Sequence, residues 1–149
     1  MATSFVNYKE NGFWANDQLL IIVAHYLYKD YDNKNDLENW EQDFMGVIKD
    51  NADGYFVGFM DFDFDLFLIN QNRITSFLNI IKQTKIHINS KGSYISSKEL
   101  NLINVIEDVK ILWTDDIECN RIIKLLDYIE YLVQGELKIK SSDNIDYSF

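Results

Sequence analysis

The chain has 149 residues, of which 47% are hydrophobic and 15% aromatic, and its formal net charge is −10. The apolar content excludes a disordered protein, and the length predicts one globular domain over residues 1–149. The excess of 24 acidic over 14 basic residues disfavours binding to nucleic acid or to an anionic membrane and favours a basic partner. The plain alternative is that this charge serves solubility alone.

The predicted location is cytoplasmic. The apolar run LLIIVA, Leu19–Ala24, is far shorter than the about 20 residues that cross a bilayer. The first twelve residues lack the basic-then-apolar layout of a signal peptide. Cys119 is the only cysteine in the sequence, so the chain can form no internal disulfide and suits a reducing compartment.

Two amphipathic helices are predicted in the first third of the chain. Asp17 is a candidate cap for the first helix, whose apolar residues from Leu19 to Leu27 recur at helical spacing. The polar segment DNKND, residues 32–36, separates it from the second helix. This helix ends near Gly54, a residue type that suits a left-handed stop.

The stretch Tyr55–Leu68 has a different pattern, because aromatic and aliphatic residues alternate with aspartates. A period of two predicts a strand with one apolar face and one face toward water. The expected water-facing residues are Asp61, Asp63 and Asp65, and Phe67 falls on the same side of this strand. The expected inward residues are Phe62, Phe64, Leu66 and Leu68.

Three further helices are predicted toward the C-terminus. One begins near Asn72, and the next begins at the capping box Ser96–Glu99 and continues through Val109. The last helix runs from Thr114 to Gly135.

The expected fold is therefore mainly α, with about five helices and one short extended or hairpin element near residues 55–69 or 85–95. The alternative is an α+β domain with a small antiparallel sheet. Residues 141–149 are predicted to be frayed.

The three alternating aspartates permit more than one chemical interpretation. A calcium loop is excluded, because the positions that require glycine and glutamate hold Leu66 and Asn72. The segment FDFDLFLI is similar to the strand end of haloacid-dehalogenase-like phosphotransferases, in which Asp63 and Asp65 would serve a magnesium-dependent reaction. Phe67 stands where such enzymes have threonine, and the chain lacks the alternating strands and helices of a parallel sheet.

No cofactor, metal ligand or catalytic residue is predicted elsewhere. His25 and His87 have no second histidine or cysteine at a ligand spacing. His25 lies within an apolar helical run, which indicates a packed side chain, and Cys119 lies on the apolar stripe of the last helix. An enzyme is therefore not the leading hypothesis.

Two short motifs, YLYKDYD at Tyr26–Asp32 and WEQDF at Trp40–Phe44, resemble a segment of contact-dependent growth inhibition immunity proteins. In that family a tyrosine is followed four residues on by Asp-aromatic-Asp, and then by Trp-Glu. The chain departs from the pattern at Tyr28 and Lys29, where the family has histidine and glutamine, and at Tyr31, where it has tryptophan.

The resemblance implies a protein that binds a cognate bacterial toxin domain, such as a basic nuclease, and neutralises it by stoichiometric inhibition in the cytoplasm. Acidic side chains would meet the basic surface, and aromatic side chains would anchor it. A structural role for the motif in joining two helices, and a non-catalytic adaptor domain, are the alternatives. The predicted contact residues are Asp30, Tyr31, Asp32, Asp36, Glu38, Trp40 and Glu41, or alternatively Asp61, Asp63 and Asp65.

Overall fold

A computed structural model describes residues 2–137 of the chain. Helices make up 55% of it, so the predicted mainly α class with a small hairpin is confirmed. The predicted frayed segment, residues 141–149, lies outside the described residues. The strands are β1 (Thr3–Tyr8), β2 (Asn11–Asn16), β3 (Tyr94–Ile95) and β4 (Ile117–Glu118). The helices are α1 (Asp17–Asp32), α2 (Asn39–Ala52), α3 (Phe64–Phe67), α4 (Gln71–Asn89), α5 (Ser97–Leu100) and α6 (Cys119–Val133), with a 3-10 turn at Glu107–Val109.

The hairpin opens the chain, where the sequence analysis predicted no element. Strands β1 and β2 pair antiparallel in a register that sets Phe5 opposite Trp14. The two turn residues, Lys9 and Glu10, have positive φ angles of 49° and 69°, as a two-residue hairpin turn requires. We call residues 61–68 the aspartate-rich segment. The Tyr8 hydroxyl donates a hydrogen bond to the Leu68 carbonyl of this segment over 2.6 Å, which ties the hairpin to it.

Helix α1 lies at the centre of the core and packs against α2, α4 and α6. All six residues of its LLIIVA run are buried, because helices cover it on several sides. The N-cap is Asn16, one residue before the predicted Asp17, and its side chain accepts hydrogen bonds from the amides of Gln18 and Leu19 over 2.8 and 3.4 Å. In residues 2–137, no helix combines the length and apolar character needed to cross a bilayer.

Phe44 of α2 is the centre of an aromatic cluster that joins α1, α2, α3 and α4. Its side chain is completely buried. Five rings lie within 6.2 Å of its own, measured between centroids: Tyr31, Trp40, Phe64, Phe67 and Phe77. The aspartate-rich segment is thereby held against α2.

The predicted strand at Tyr55–Leu68 is wrong. The Asp61 side chain accepts a hydrogen bond from the Asp63 amide over 2.8 Å, Asp63 adopts a left-handed φ of 54°, and the short helix α3 follows. The alternation of buried and exposed side chains therefore holds only as far as Phe64. The helical turn then exposes Leu66 and buries Phe67, the reverse of the strand prediction.

The predicted fourth helix is shorter than expected, and the last helix begins later. Ser96 caps α5 as predicted, accepting a hydrogen bond from the Glu99 amide over 3.1 Å, but the helix ends at Leu100. The Asn101 side chain then exchanges two hydrogen bonds with the Trp113 backbone, of 2.9 and 2.8 Å, which folds the following segment back. Helix α6 begins at Cys119 because the preceding residues form β4 and pair with β3.

Candidate partner-binding surface

Two of the predicted contact residues, Tyr31 and Glu41, lie inside the fold with exposed fractions of 0% and 2%. The Tyr31 ring packs edge-on against Phe44, at 5.9 Å between centroids. Glu41 accepts hydrogen bonds from the Glu38 amide over 3.3 Å and from the Ser76 hydroxyl over 3.2 Å, and it pairs with Lys34. Both side chains therefore support the α1–α2 connection and are not available to a partner.

Trp40 is half-buried and joins α2 to α4. Its ring stacks on Phe44 with centroids 6.2 Å apart, and the guanidinium of Arg73 lies 4.9 Å from its centroid. The indole N–H donates to the Glu38 carboxylate over 2.7 Å. These contacts orient Trp40 within the fold while leaving part of its ring accessible.

Asp30 is also engaged within the molecule. Its carboxylate accepts a hydrogen bond from the Thr84 hydroxyl over 2.7 Å and lies 3.4 Å from the His87 Nδ1. These contacts connect α1 to α4. The role of Asp30 is therefore mainly structural.

Exposed carboxylates from both predicted alternatives lie on elements that contact each other. The Asn51 side chain of α2 donates to the Asp61 carbonyl over 2.7 Å, so the aspartate-rich segment lies beside α2. We call this set of exposed carboxylates the acidic surface. It comprises Asp32, Asp36, Glu38, Asp43, Asp50, Asp61, Asp63 and Asp65.

Charge is concentrated in the part of the chain that carries this surface. Residues 29–70 hold eleven acidic residues and three lysines, and so carry eight of the ten net negative charges. Partial burial, together with the nearby Asp61, raises the pKa of the Asp63 carboxyl. The ion pairs found within residues 2–137 use carboxylates outside the acidic surface: Asp30, Glu41, Asp53, Glu99, Asp127 and Glu130.

Two exposed aromatic residues follow α2 and were not predicted as contact residues. Tyr55 is 58% exposed and Phe59 is 68% exposed. They lie in the connection between α2 and the aspartate-rich segment, so acidic residues flank them in sequence on both sides. Tyr55 follows Gly54, and Phe59 follows Gly58. Aromatic residues next to glycines were the available signal, because connecting segments usually run over the protein surface.

Asp65, one of the two aspartates of the phosphotransferase alternative, has a structural partner. The Asp65 carboxylate accepts a hydrogen bond from the Lys9 amide over 2.9 Å, which fixes the hairpin turn. Both sheets in residues 2–137 are two-stranded and antiparallel, so they provide no parallel strand end for an Asp-x-Asp motif. Among these same residues, no group of three or more histidine, cysteine or acidic side chains is arranged to hold a metal ion.

A cluster of polar side chains, separate from the acidic surface, lies between α1 and α5. It is formed by His25, Tyr26, Lys91 and Glu99. The Tyr26 hydroxyl and the Lys91 ammonium both donate to the same Glu99 oxygen, each over 2.5 Å. Burial raises the pKa of the Tyr26 hydroxyl, and the bond to Glu99 adds to this effect. Burial also raises the pKa of the Cys119 thiol, as expected for a structural cysteine rather than a nucleophile.

The environment of His25 predicts a stability that depends on pH. Burial, together with the nearby Lys29, lowers its pKa from 6.5 to about 4. Because the folded state then binds the proton less readily than the unfolded state, stability is full above pH 6.5 and falls as the pH drops toward 4. Between pH 7 and 5.5 we expect a loss of about 1 kcal/mol, allowing for the part of the ring that stays in water.

Denaturant unfolding at the two pH values measures this loss. His25→Gln should reduce the difference. An equal pH dependence in the parent protein and in His25→Gln would show that another group is responsible.

Comparison of the chain with protein-family models, curated proteins and solved structures finds no match.

Proposed function

We propose that this protein is an immunity protein, which binds a basic bacterial toxin domain through the acidic surface and inhibits it stoichiometrically in the cytoplasm. The proposal combines the resemblance of Tyr26–Asp32 and Trp40–Phe44 to contact-dependent growth inhibition immunity proteins with the geometry around those motifs. No catalytic step is assigned to the protein.

The concentration of negative charge is the observation that carries the proposal. Charge serving solubility alone is usually interspersed with the opposite sign over a surface, whereas residues 29–70 hold eight of the ten net negative charges. A surface of one sign attracts a partner of the opposite sign and speeds the encounter. A basic nuclease has a matching surface, because it must bind phosphates.

The resembling motifs contribute mainly by holding this surface in place. Tyr31 and Glu41 are buried, and Trp40 is packed between neighbouring side chains. Exposed aromatic side chains supply large contact areas in interfaces and often carry much of the binding energy. Tyr55 and Phe59 therefore take the anchoring role that the sequence analysis gave to Trp40 and Tyr31.

Co-purification tests the proposal. The product of the adjacent gene should be a large secreted toxin, and its toxin domain, co-expressed with the tagged protein, should elute with it as an equimolar complex. A neighbouring gene of another kind, combined with failure to retain any toxin domain encoded beside it, would contradict the proposed function.

A further inference from the structure

A cavity of about 260 Å³ lies between the start of α1, the α2–α3 connection and the 3-10 turn. Aliphatic side chains and two carboxylates line it: Ile21, Val57, Val109, Ile111, Asp17 and Asp108. Among residues 2–137, no basic side chain contributes to this lining. The cavity thus combines apolar walls with negative charge.

Asp17, which contributes to the lining of this cavity, carries an unsatisfied acceptor. The residue is 1% exposed, and its Oδ2 accepts a hydrogen bond from the Gly58 amide. Its Oδ1 is almost wholly shielded from water and has no hydrogen-bond partner among the described residues. A buried carboxylate oxygen without a donor is costly to the fold, and such a group often indicates a site that a ligand completes.

We infer that this cavity accepts a lysine side chain of the basic partner, an inference that rests on the proposed function. The aliphatic stem would lie against Ile21, Val57 and Ile111, and the ammonium would face Asp17 and Asp108. Lysine side chains commonly bury their stem against apolar surface in this way. Because Oδ1 is shielded from water in the free protein, binding requires the cavity wall to open at Asp17, and the resulting ion pair would be little screened by salt.

Lysine fits this site better than arginine. A guanidinium binds a carboxylate best through two parallel hydrogen bonds, which use both carboxylate oxygens. One oxygen of Asp17 is already occupied by the Gly58 amide. The remaining oxygen suits a compact ammonium group, which donates in any direction.

The position of the cavity agrees with the proposed interface. Val57 in its wall lies between the exposed Tyr55 and Phe59 in sequence, and Asp61 of the acidic surface follows closely. A partner that covers these aromatic rings would therefore bring its side chains to the mouth of the cavity.

Titration of the isotope-labelled protein with n-butylammonium, followed by NMR, tests the inference without a toxin. The expected result is a saturable shift of the Gly58 and Val57 amides, with n-butanol binding at least tenfold more weakly. Asp17→Asn keeps an acceptor for Gly58 but removes the charge, so it should weaken binding at least tenfold. Asp115→Asn, an equal change of charge outside the cavity, should have no effect.

A thermal melt verifies that each variant is folded. If Asp17→Asn does not fold, the exposed Asp108→Asn replaces it, with an expected severalfold weakening. No shift near Gly58, or equal binding of amine and alcohol, would overturn the inference while leaving the co-purification result unaffected.

Kinetic measurements on the toxin complex distinguish a lysine of the partner from other occupants of the cavity. In the toxin complex, Asp17→Asn should raise the dissociation rate at least tenfold and leave the association rate nearly unchanged. Amine binding combined with an unchanged dissociation rate would mean that the cavity takes a free amine, and would overturn the assignment to the partner. Shifts at Gly58 on diluting the protein alone would overturn it in favour of a second copy of the chain.

Discussion

Replacing Phe44 by alanine is expected to lower the free energy of unfolding by about 3–5 kcal/mol. The ring is completely buried and touches aromatic side chains from α1, α3 and α4 as well as its own helix. Its removal leaves a cavity where these elements meet, and the aspartate-rich segment loses its main apolar contact with α2. Equilibrium unfolding in urea, read from the shift in midpoint at constant slope, measures the loss.

Phe59→Ala is the matched control, because the same atoms are removed from a side chain that is 68% exposed. Surface substitutions usually change stability by less than about 0.5 kcal/mol. If Phe44→Ala cost no more than Phe59→Ala, the aromatic cluster would not be the centre of the core.

Reversing three charges of the acidic surface is expected to slow association with the toxin domain at least about tenfold at low salt. Asp32, Asp43 and Asp50 are suited to replacement by lysine, since they are exposed and lie on α1 and α2. The variant should also lose most of the salt dependence of the association rate, because the long-range attraction is removed. Stopped-flow or surface-based kinetics at several ionic strengths measure both effects.

The control reverses three exposed acids elsewhere, Glu107, Asp115 and Glu118, so that the net charge changes equally. It should retain a clearly faster association than the first variant. Equal slowing in both variants would mean that net charge, and not the acidic surface, directs the encounter.

The main helices could be predicted from the sequence because their apolar residues recur at intervals of three and four. The N-terminal hairpin could not, although Val6 and Tyr8 alternate with less buried neighbours in β1. Its turn consists of Lys9 and Glu10, whereas two-residue hairpin turns are usually recognised by Asn-Gly or Asp-Gly. The hydrogen bond from the Lys9 amide to Asp65 supports this turn, and a contact so distant in sequence leaves no local signal.

The sequence predicts which residues of the candidate site are acidic, but not which of them are buried. The acidic character of residues 29–70 is visible in the sequence. The burial of Glu41 involves a hydrogen bond from the Ser76 hydroxyl. The burial of Tyr31 involves packing against Phe44 and its neighbours. The position of Asp61 beside α2 involves the hydrogen bond from Asn51, a tertiary contact that no periodicity reveals.

Titration of the purified toxin domain's activity with this protein tests the central claim most directly. The proposed function predicts that activity falls linearly and vanishes at one equivalent. The variant with Asp32, Asp43 and Asp50 reversed should require a large excess, and the variant with Glu107, Asp115 and Glu118 reversed should behave nearly as the parent does. Full toxin activity at several equivalents of the parent protein, or equal inhibition by both variants, would contradict the proposed function.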